Sequence, residues 1–231
     1  AADHDVIRPV DKPLRADAGF LVMQSNFFDY AIMKTSVIDR EFEELFLCDP
    51  DHPGQISLEA VIFDGPEDYH QRIDDPELNI GIRSILIIRN CGPVGFPGGA
   101  EVVNMQPPAR LIDKGIDTLP TLGDGRQSGT SASPSILNVS PEAAIGGKLA
   151  LLKTGDVLRL DLQHRRIDVL LSEEEMLRRQ ESWRPPALKN QTPWEELHRM
   201  TVGQHDSGAC MEPAVAYLDI IKLRGEARDS H

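Results

Sequence analysis

The chain has 231 residues, of which 40% are hydrophobic and 26% are charged, and this balance predicts a folded protein with a buried core. Asp and Glu outnumber Lys and Arg by 37 to 24, giving a net charge of −13. This charge argues against a nucleic-acid partner, which needs a basic surface. No apolar stretch approaches the ~20 residues that span a bilayer, so we expect no membrane partner and a cytoplasmic location.

The N-terminal segment is polar, contains prolines and lacks both a starting Met and the features of a signal peptide. We therefore expect the sequence to begin inside a longer protein. The cysteines, Cys48, Cys91 and Cys210, are odd in number and form no CxxC pair, which favours reduced and mostly buried thiols. The histidines form no HExxH motif, so we expect no zinc site built within this chain.

Strand-like segments fill the first two thirds of the sequence. They are residues 19–24, 57–64, 84–90, 149–153, 156–163 and 166–171. In residues 156–163 three leucines alternate with Arg159, Asp161 and Gln163, which is typical of a half-buried strand. The turn at residues 164–165 predicts that this strand and the next form a hairpin.

Helix signals interrupt and then follow these strands. Pro66 begins one helical segment, residues 107–114 form another that stops at Gly115, and residues 140–142 begin a short turn of helix. Ser172 and Thr192 each begin a capping box, which predicts helices over residues 176–180 and towards Met200.

The segment 184–191 contains two adjacent prolines and is typical of a linker. We therefore predict a β-rich α/β body over residues 1–172. Residues 173–231 are predicted to form a helical tail that packs on the body or on a partner.

The first loop that could support chemistry is rich in glycine. Residues 91–101 follow an apolar strand and end in Glu101. Glycines allow close backbone approaches, and a carboxylate on a rigid loop suits a hard cation such as Mg²⁺. Spacing alone leaves open, and even favours, the alternative that this is a long turn with a solvated glutamate.

The second loop, residues 122–133, offers two hydroxyl groups, Ser128 and Thr130, together with Arg126 and many backbone N–H groups. Such a loop can bind a carboxylate or a phosphate. Its spacing does not fit the GxSxG motif of hydrolases, and the sequence contains no Walker A loop. The alternative is a serine-rich surface loop.

Taken together, three motifs resemble the family of dihydroxy-acid and 6-phosphogluconate dehydratases. They are GPVGFPG at residues 92–98 with Glu101, DGRQSGT at 124–130, and PEAAIGG at 141–147 continuing to TGD at 154–156. Residues 19–37 are also similar to this family. Four further segments are most similar to its pentonate branch, the xylonate and arabinonate dehydratases: residues 65–75, 102–105, 125–128 and 191–196.

This resemblance implies the fold and the reaction. The fold would be a swivelling β/β/α domain, an open β-barrel-like structure flanked by helices. The reaction would convert a 2,3-dihydroxy sugar acid to a 2-keto-3-deoxy acid with loss of water. The resemblance also implies Mg²⁺ and an iron–sulfur cluster, 2Fe-2S or 4Fe-4S, held by an N-terminal domain absent from this sequence.

The resemblance also assigns roles. Glu101 would be a Mg²⁺ ligand, Ser128 the general base with Thr130 beside it, and Arg126, Gly129 and His231 substrate contacts. No cysteine of this chain would bind the cluster. The partners would be the N-terminal domain and, in the full-length enzyme, further copies in a homo-oligomer. The alternative function is a stand-alone domain that binds a small anion or a subunit without catalysis.

Overall fold

The computed structural model describes residues 7–13, 19–38, 54–129 and 131–224. In this part of the chain eight strands form one mixed sheet, in the order β1-β2-β6-β5-β4-β3-β7-β8. The strands are β1 Phe20–Met23, β2 Tyr30–Lys34, β3 Gln55–Phe63, β4 Ser84–Ile88, β5 Thr121–Gly123, β6 Ser135–Ser140, β7 Val157–Asp161 and β8 Arg166–Val169.

The centre of the sheet is parallel and its flanks are antiparallel. Strands β3, β4, β5 and β6 pair in parallel with one another. Strands β1, β2, β7 and β8 join through antiparallel pairs, including the predicted β7–β8 hairpin, in which Asp161 lies opposite Arg166. The carboxyl ends of the four parallel strands therefore share one edge of the sheet.

The two outer strands approach each other and nearly close the sheet into a barrel. Directly after β1, the Gln24 N–H donates to the Arg165 carbonyl oxygen over 2.9 Å, and the Ile167 N–H donates to the Gln24 carbonyl oxygen over 3.0 Å. The Asn26 side chain pairs in the same way with the backbone of Val169. These contacts confirm the predicted α/β fold with an open barrel.

Two hydrophobic clusters stabilise the sheet. The first fills the barrel with side chains from all eight strands, such as Met23, Leu58 and Ile167. The second covers the outer face of β3 and β4 with Phe63, Leu86 and their neighbours. Strand β4 is buried on both faces and is a nearly continuous apolar run, as is usual for parallel strands, whereas β3 alternates up to Glu59 and is fully buried only over residues 60–63.

Five α-helices lie in the described residues: α1 Pro66–Arg72, α2 Ala109–Ile112, α3 Glu173–Ser182, α4 Pro193–Thr201 and α5 Glu212–Arg224. Both predicted N-caps are confirmed, since Ser172 accepts from the Glu175 N–H and Thr192 from the Glu195 N–H. None of the described helices is long and apolar enough to cross a membrane.

The sequence prediction was wrong at residues 149–153, where a strand was expected. Residues Lys148–Leu151 form a 3₁₀ helix instead, with Leu149 and Leu151 buried. A short apolar run is compatible with a buried strand or with a buried helical turn, so the sequence pattern alone does not distinguish the two. Strands β2 and β6 and helix α5 were not predicted. The 1–172 and 173–231 boundaries stay a prediction.

Candidate active site

The two loops singled out in the sequence lie at the carboxyl edge of the parallel strands. The glycine-rich loop, residues 91–101, follows β4, and the serine loop, residues 124–133, follows β5. Since β4 and β5 are parallel neighbours, their loops emerge side by side. In open α/β sheets, ligands bind outside this edge.

Arg126 joins the two loops. Its backbone N–H donates to the Ala100 carbonyl oxygen over 3.1 Å, and its carbonyl oxygen accepts from the Val103 N–H over 3.0 Å. Its Nε donates to the Gly99 carbonyl oxygen over 2.8 Å. Its guanidinium also lies 3.6 Å from Glu101 Oε1, and both side chains are 50% exposed. The accessible carboxylate of Glu101 therefore lies close to the serine loop, and its contact there is Arg126, two residues before Ser128.

Ser128 is partly buried in a tight turn of the serine loop. Its carbonyl oxygen accepts from the Ser131 N–H over 3.1 Å. Next to it, Gln127 Nε2 donates to Ser135 Oγ over 2.5 Å and to the Ser133 carbonyl oxygen over 3.2 Å. The loop is therefore closed by its own hydrogen bonds. Thr130 and His231 lie outside the described residues, so the structure reports nothing on their predicted roles.

Two fully buried carboxylates organise the base of the loops. Asp124 accepts backbone N–H groups from Asn90, Cys91 and Ala143 over 2.8–3.1 Å. Burial, with a smaller contribution from the charge of Glu142, raises the pKa of Asp124 to about 7 although these donors favour the charged form. Asp124 therefore connects the ends of β4 and β5 with the segment after β6.

Glu142 holds the glycine-rich loop. Its Oε1 and Oε2 accept the N–H groups of Val94 and Gly95, each over 2.8 Å. The side chain leaves room only for glycine at position 92, where a Cβ atom would lie 2.6 Å from Glu142 Cβ. The glycine at this position is thus explained by a close approach.

The tail contacts the same loop. Gln204 Nε2 donates to Glu142 Oε1 over 2.7 Å, and Gln204 Oε1 accepts from the Glu142 N–H over 2.9 Å. The Arg199 guanidinium donates to the carbonyl oxygens of Val94 and Gly95. Burial lowers the pKa of neighbouring His205, which favours its neutral form. Residues far along the chain therefore fix the shape of the glycine-rich loop.

A cavity of about 710 Å³ is lined by the middle of the glycine-rich loop, at Gly95 and Phe96, and not by its Glu101 end. Among its lining residues are Arg89, Phe96, Trp183, Arg184 and Arg199. Neither Glu101 nor Ser128 contributes to its wall. Glu101, whose side chain is half-exposed, and the partly buried Ser128 therefore lie outside this cavity.

The described residues supply few metal ligands. Among them, no group of three His, Cys, Asp or Glu side chains is placed to hold a metal ion. Burial raises the pKa of the Cys91 thiol far above its ordinary value, and Cys210 is a separate exposed thiol. Iron–sulfur clusters need several thiolates, so these cysteines do not fit one. Glu101 fits a single oxygen ligand of Mg²⁺, which usually keeps several waters and one or two carboxylates.

Sequence reasoning did not single out three side chains that shape these loops: Lys34, Glu142 and Gln204. Lys34 Nζ donates to the carbonyl oxygens of Gly129 and Ser131. Glu142 had a signal, because an acidic residue directly after a parallel strand lies at the ligand-binding edge. Gln204 and Lys34 lack such a signal, since their partners are distant in sequence.

An open α/β barrel with two adjoining loops at its carboxyl edge defines a domain that can contribute one side of a small-molecule site. The chain belongs to the dihydroxy-acid/6-phosphogluconate dehydratase family, whose C-terminal model matches residues 5–209.

Three named relatives illustrate this membership. The chain is 52% identical to D-xylonate dehydratase of Caulobacter vibrioides over 219 residues, which cover 95% of this chain and 37% of the relative. It is 36% identical to L-arabinonate dehydratase of Rhizobium leguminosarum bv. trifolii, covering 99% of this chain and 37% of the relative. It is 32% identical to dihydroxy-acid dehydratase of Clostridium kluyveri, covering 90% and 35%. The chain therefore spans about a third of the length of these relatives.

Proposed function

We propose that this chain is the C-terminal catalytic part of a dehydratase that converts a 2,3-dihydroxy sugar acid to a 2-keto-3-deoxy acid. The observation that carries the proposal is the junction made by Arg126, which places the exposed Glu101 carboxylate against the loop that bears Ser128. The alternative, a binding module without catalysis, is not favoured, because relatives of this chain are named dehydratases.

In the proposed reaction, Ser128 Oγ acts as the general base in its alkoxide form and takes the proton from C2 of the substrate. The electron pair of that C–H bond forms the C2–C3 double bond as the C3–O bond breaks, and the departing hydroxide takes a proton from solvent to become water. The resulting enol becomes the 2-keto acid by gaining a proton at C3 and losing the proton of its C2 hydroxyl, and Ser128 returns its own proton to solvent. Thr130, Arg126, Gly129 and His231 are proposed to assist or to contact the substrate.

A serine hydroxyl is a weak base unless its anion is stabilised. The closed serine loop fixes the Ser128 backbone, and Arg126 adds a positive charge two residues away. Magnesium, held in part by Glu101, would supply a Lewis acid for the carboxylate end of the substrate. We propose that the iron–sulfur cluster is bound outside this chain, because Cys91 and Cys210, the cysteines among the described residues, do not fit it, whereas Cys48 lies outside the described residues.

The test is Ser128→Ala in the full-length enzyme. We expect kcat to fall by about 10²–10⁴-fold, the typical effect of losing a general base, with KM nearly unchanged. Ser131→Ala on the same loop is the matched control and should keep near-normal turnover. Metal content and the visible spectrum should be unchanged in both variants. Near-normal turnover of Ser128→Ala would contradict the proposal.

The metal role of Glu101 has its own test. Glu101→Gln should raise the magnesium concentration that supports half-maximal turnover, because one charged oxygen ligand is lost. Glu174→Gln replaces an exposed helical carboxylate and should leave that concentration unchanged. An identical magnesium dependence in the two variants would remove Glu101 from the metal site.

The proposed substrates are the pentonates D-xylonate and L-arabinonate, the acids in the names of two relatives. Comparing kcat/KM for these two acids with that for a branched dihydroxy acid tests this choice. The proposed partners are the N-terminal domain of the same enzyme and further copies in a homo-oligomer. A cytoplasmic location stays a prediction.

A further inference from the structure

We infer that Lys34 is a positioning residue for the general base, an inference that rests on the function proposed for Ser128. Lys34 ends strand β2 and is only 6% exposed. Its Nζ donates to the Gly129 carbonyl oxygen over 3.0 Å and to the Ser131 carbonyl oxygen over 2.6 Å. Both acceptors belong to the serine loop, one and three residues after Ser128.

A buried lysine needs a compensating environment, because transferring an ammonium group out of water is costly. Here two backbone carbonyl oxygens accept from the ammonium. Hydrogen bonds to charged groups are shorter and stronger than neutral ones. They therefore orient two peptide groups of the loop towards β2 and limit where the Ser128 side chain can point.

The loop is held from both sides of Ser128. Before Ser128, the Gln127 side chain reaches forward to Ser133 and Ser135. After Ser128, Lys34 attaches Gly129 and Ser131 to a strand of the barrel. Gln127 fixes the loop to the start of β6, whereas Lys34 fixes the residues after Ser128 to β2. Ser128 therefore lies between two attachments to the barrel, and Lys34 supplies the second one.

The ammonium also places a positive charge against the loop whose serine must be anionic to act as a base. A nearby positive charge favours the anionic form of a hydroxyl. Orientation and charge both act through Ser128, so Lys34 itself needs no contact with the substrate. This distinguishes a positioning residue from a second base.

The test is a double-mutant cycle of Lys34→Met and Ser128→Ala in the full-length enzyme. Lys34→Met keeps the length of the side chain but removes the charge and both hydrogen bonds. We expect kcat to fall by about 10- to 100-fold, the size of effect that follows a small misplacement of a catalytic group, with KM changed by less than about threefold. Lys114→Met, an exposed lysine after α2, is the control and should behave as the parent enzyme.

The decisive measurement is the effect of Lys34→Met in the Ser128→Ala background. If Lys34 acts through Ser128, the double variant should have the same residual turnover as Ser128→Ala alone. Two results would overturn the inference: turnover of Lys34→Met within twofold of the parent, or an equal fold loss in both backgrounds, which a purely structural role predicts.

Two further measurements keep these outcomes separate. The Tm of each variant establishes a temperature at which all four proteins of the double-mutant cycle are folded. If Lys34→Met is not produced as a folded protein, Lys34→Gln, which has a shorter, neutral side chain, replaces it in the same cycle. The inference and the proposed function also fail differently. Normal turnover of Ser128→Ala contradicts the general base, whereas an inactive Ser128→Ala with a normal Lys34→Met contradicts the positioning role alone.

Discussion

Replacement of Arg179 tests how helix α3 is attached to the barrel. The Arg179 side chain is 9% exposed and donates to both carboxylate oxygens of Asp156 over 2.6 and 3.0 Å. It also donates to the Leu151 carbonyl oxygen over 2.9 Å and to Glu175 Oε1 over 2.6 Å. Arg179→Met keeps the aliphatic stem and removes all four hydrogen bonds.

The expected loss follows from what remains behind. Asp156, with a side chain only 7% exposed, would keep the Lys153 N–H as a donor at 2.7 Å but lose its cationic partner. Breaking a buried ion pair on one side costs about 3–5 kcal/mol. For a chain of this size each kcal/mol shifts Tm by about 2–4 °C, so we expect Tm to fall by about 6–20 °C.

Arg178→Met on the same helix is the matched control. Arg178 pairs with Glu175, but its side chain is 70% exposed, so its loss should cost about 0–1 kcal/mol. The assays are thermal denaturation, which gives Tm, and urea denaturation, which gives the free energy of unfolding, both on the 231-residue chain and monitored by circular dichroism. The double variant Asp156→Asn/Arg179→Met should recover part of the loss, because no unpaired buried charge remains. If Arg179→Met lost no more stability than Arg178→Met, the reasoning would be refuted.

Two further predictions concern the base of the candidate site. Gly92→Ala should cost about 1–3 kcal/mol by urea denaturation because its Cβ would overlap Glu142, whereas Gly81→Ala, with open space around the new atom, should change stability by less than about 1 kcal/mol. Asp124 has a pKa of about 7 when folded against an ordinary 3.8, so the folded state binds more protons between these values and stability falls as pH rises through them. Asp124→Asn should be less stable, but its free energy of unfolding should lack this fall between pH 4 and pH 7. The lowered pKa of His205 makes stability rise with pH, and because both proteins contain His205 this contribution cancels when they are compared. Equal losses for the two glycine variants, or equal pH slopes with and without Asp124, would contradict these predictions.

Much of the barrel could be predicted because its strands carry local patterns. The alternating leucines of β7 predicted a half-buried strand and its hairpin, and Leu158 and Leu160 are indeed buried. The apolar runs in the second half of β3 and in β4 predicted buried strands. Both capping boxes predicted helix starts, because an N-cap hydroxyl satisfies N–H groups within its own turn.

The remaining elements lacked a local signal. Strand β2 pairs with β6, which lies far along the chain, so neither segment alone shows the pairing that makes it a strand. In the site, glycine and serine loops were visible in the sequence, but their junction through Arg126 was not. The contact from Lys34 to Gly129 joins residues 95 positions apart, so only the folded pairing of β2 with β6 brings them together.

The near-closure of the sheet has a consequence for how this chain folds. Strand β2 pairs with β6, and Asn26 reaches Val169 across 143 positions of sequence. A nascent chain that has left the ribosome only as far as residue 130 therefore has no partner for the β1–β2 hairpin. Contacts of such long range slow folding and leave strand edges open in the meantime. We expect the barrel to close only after β8 has been synthesised, so the edges of the β1–β2 hairpin stay open during most of translation.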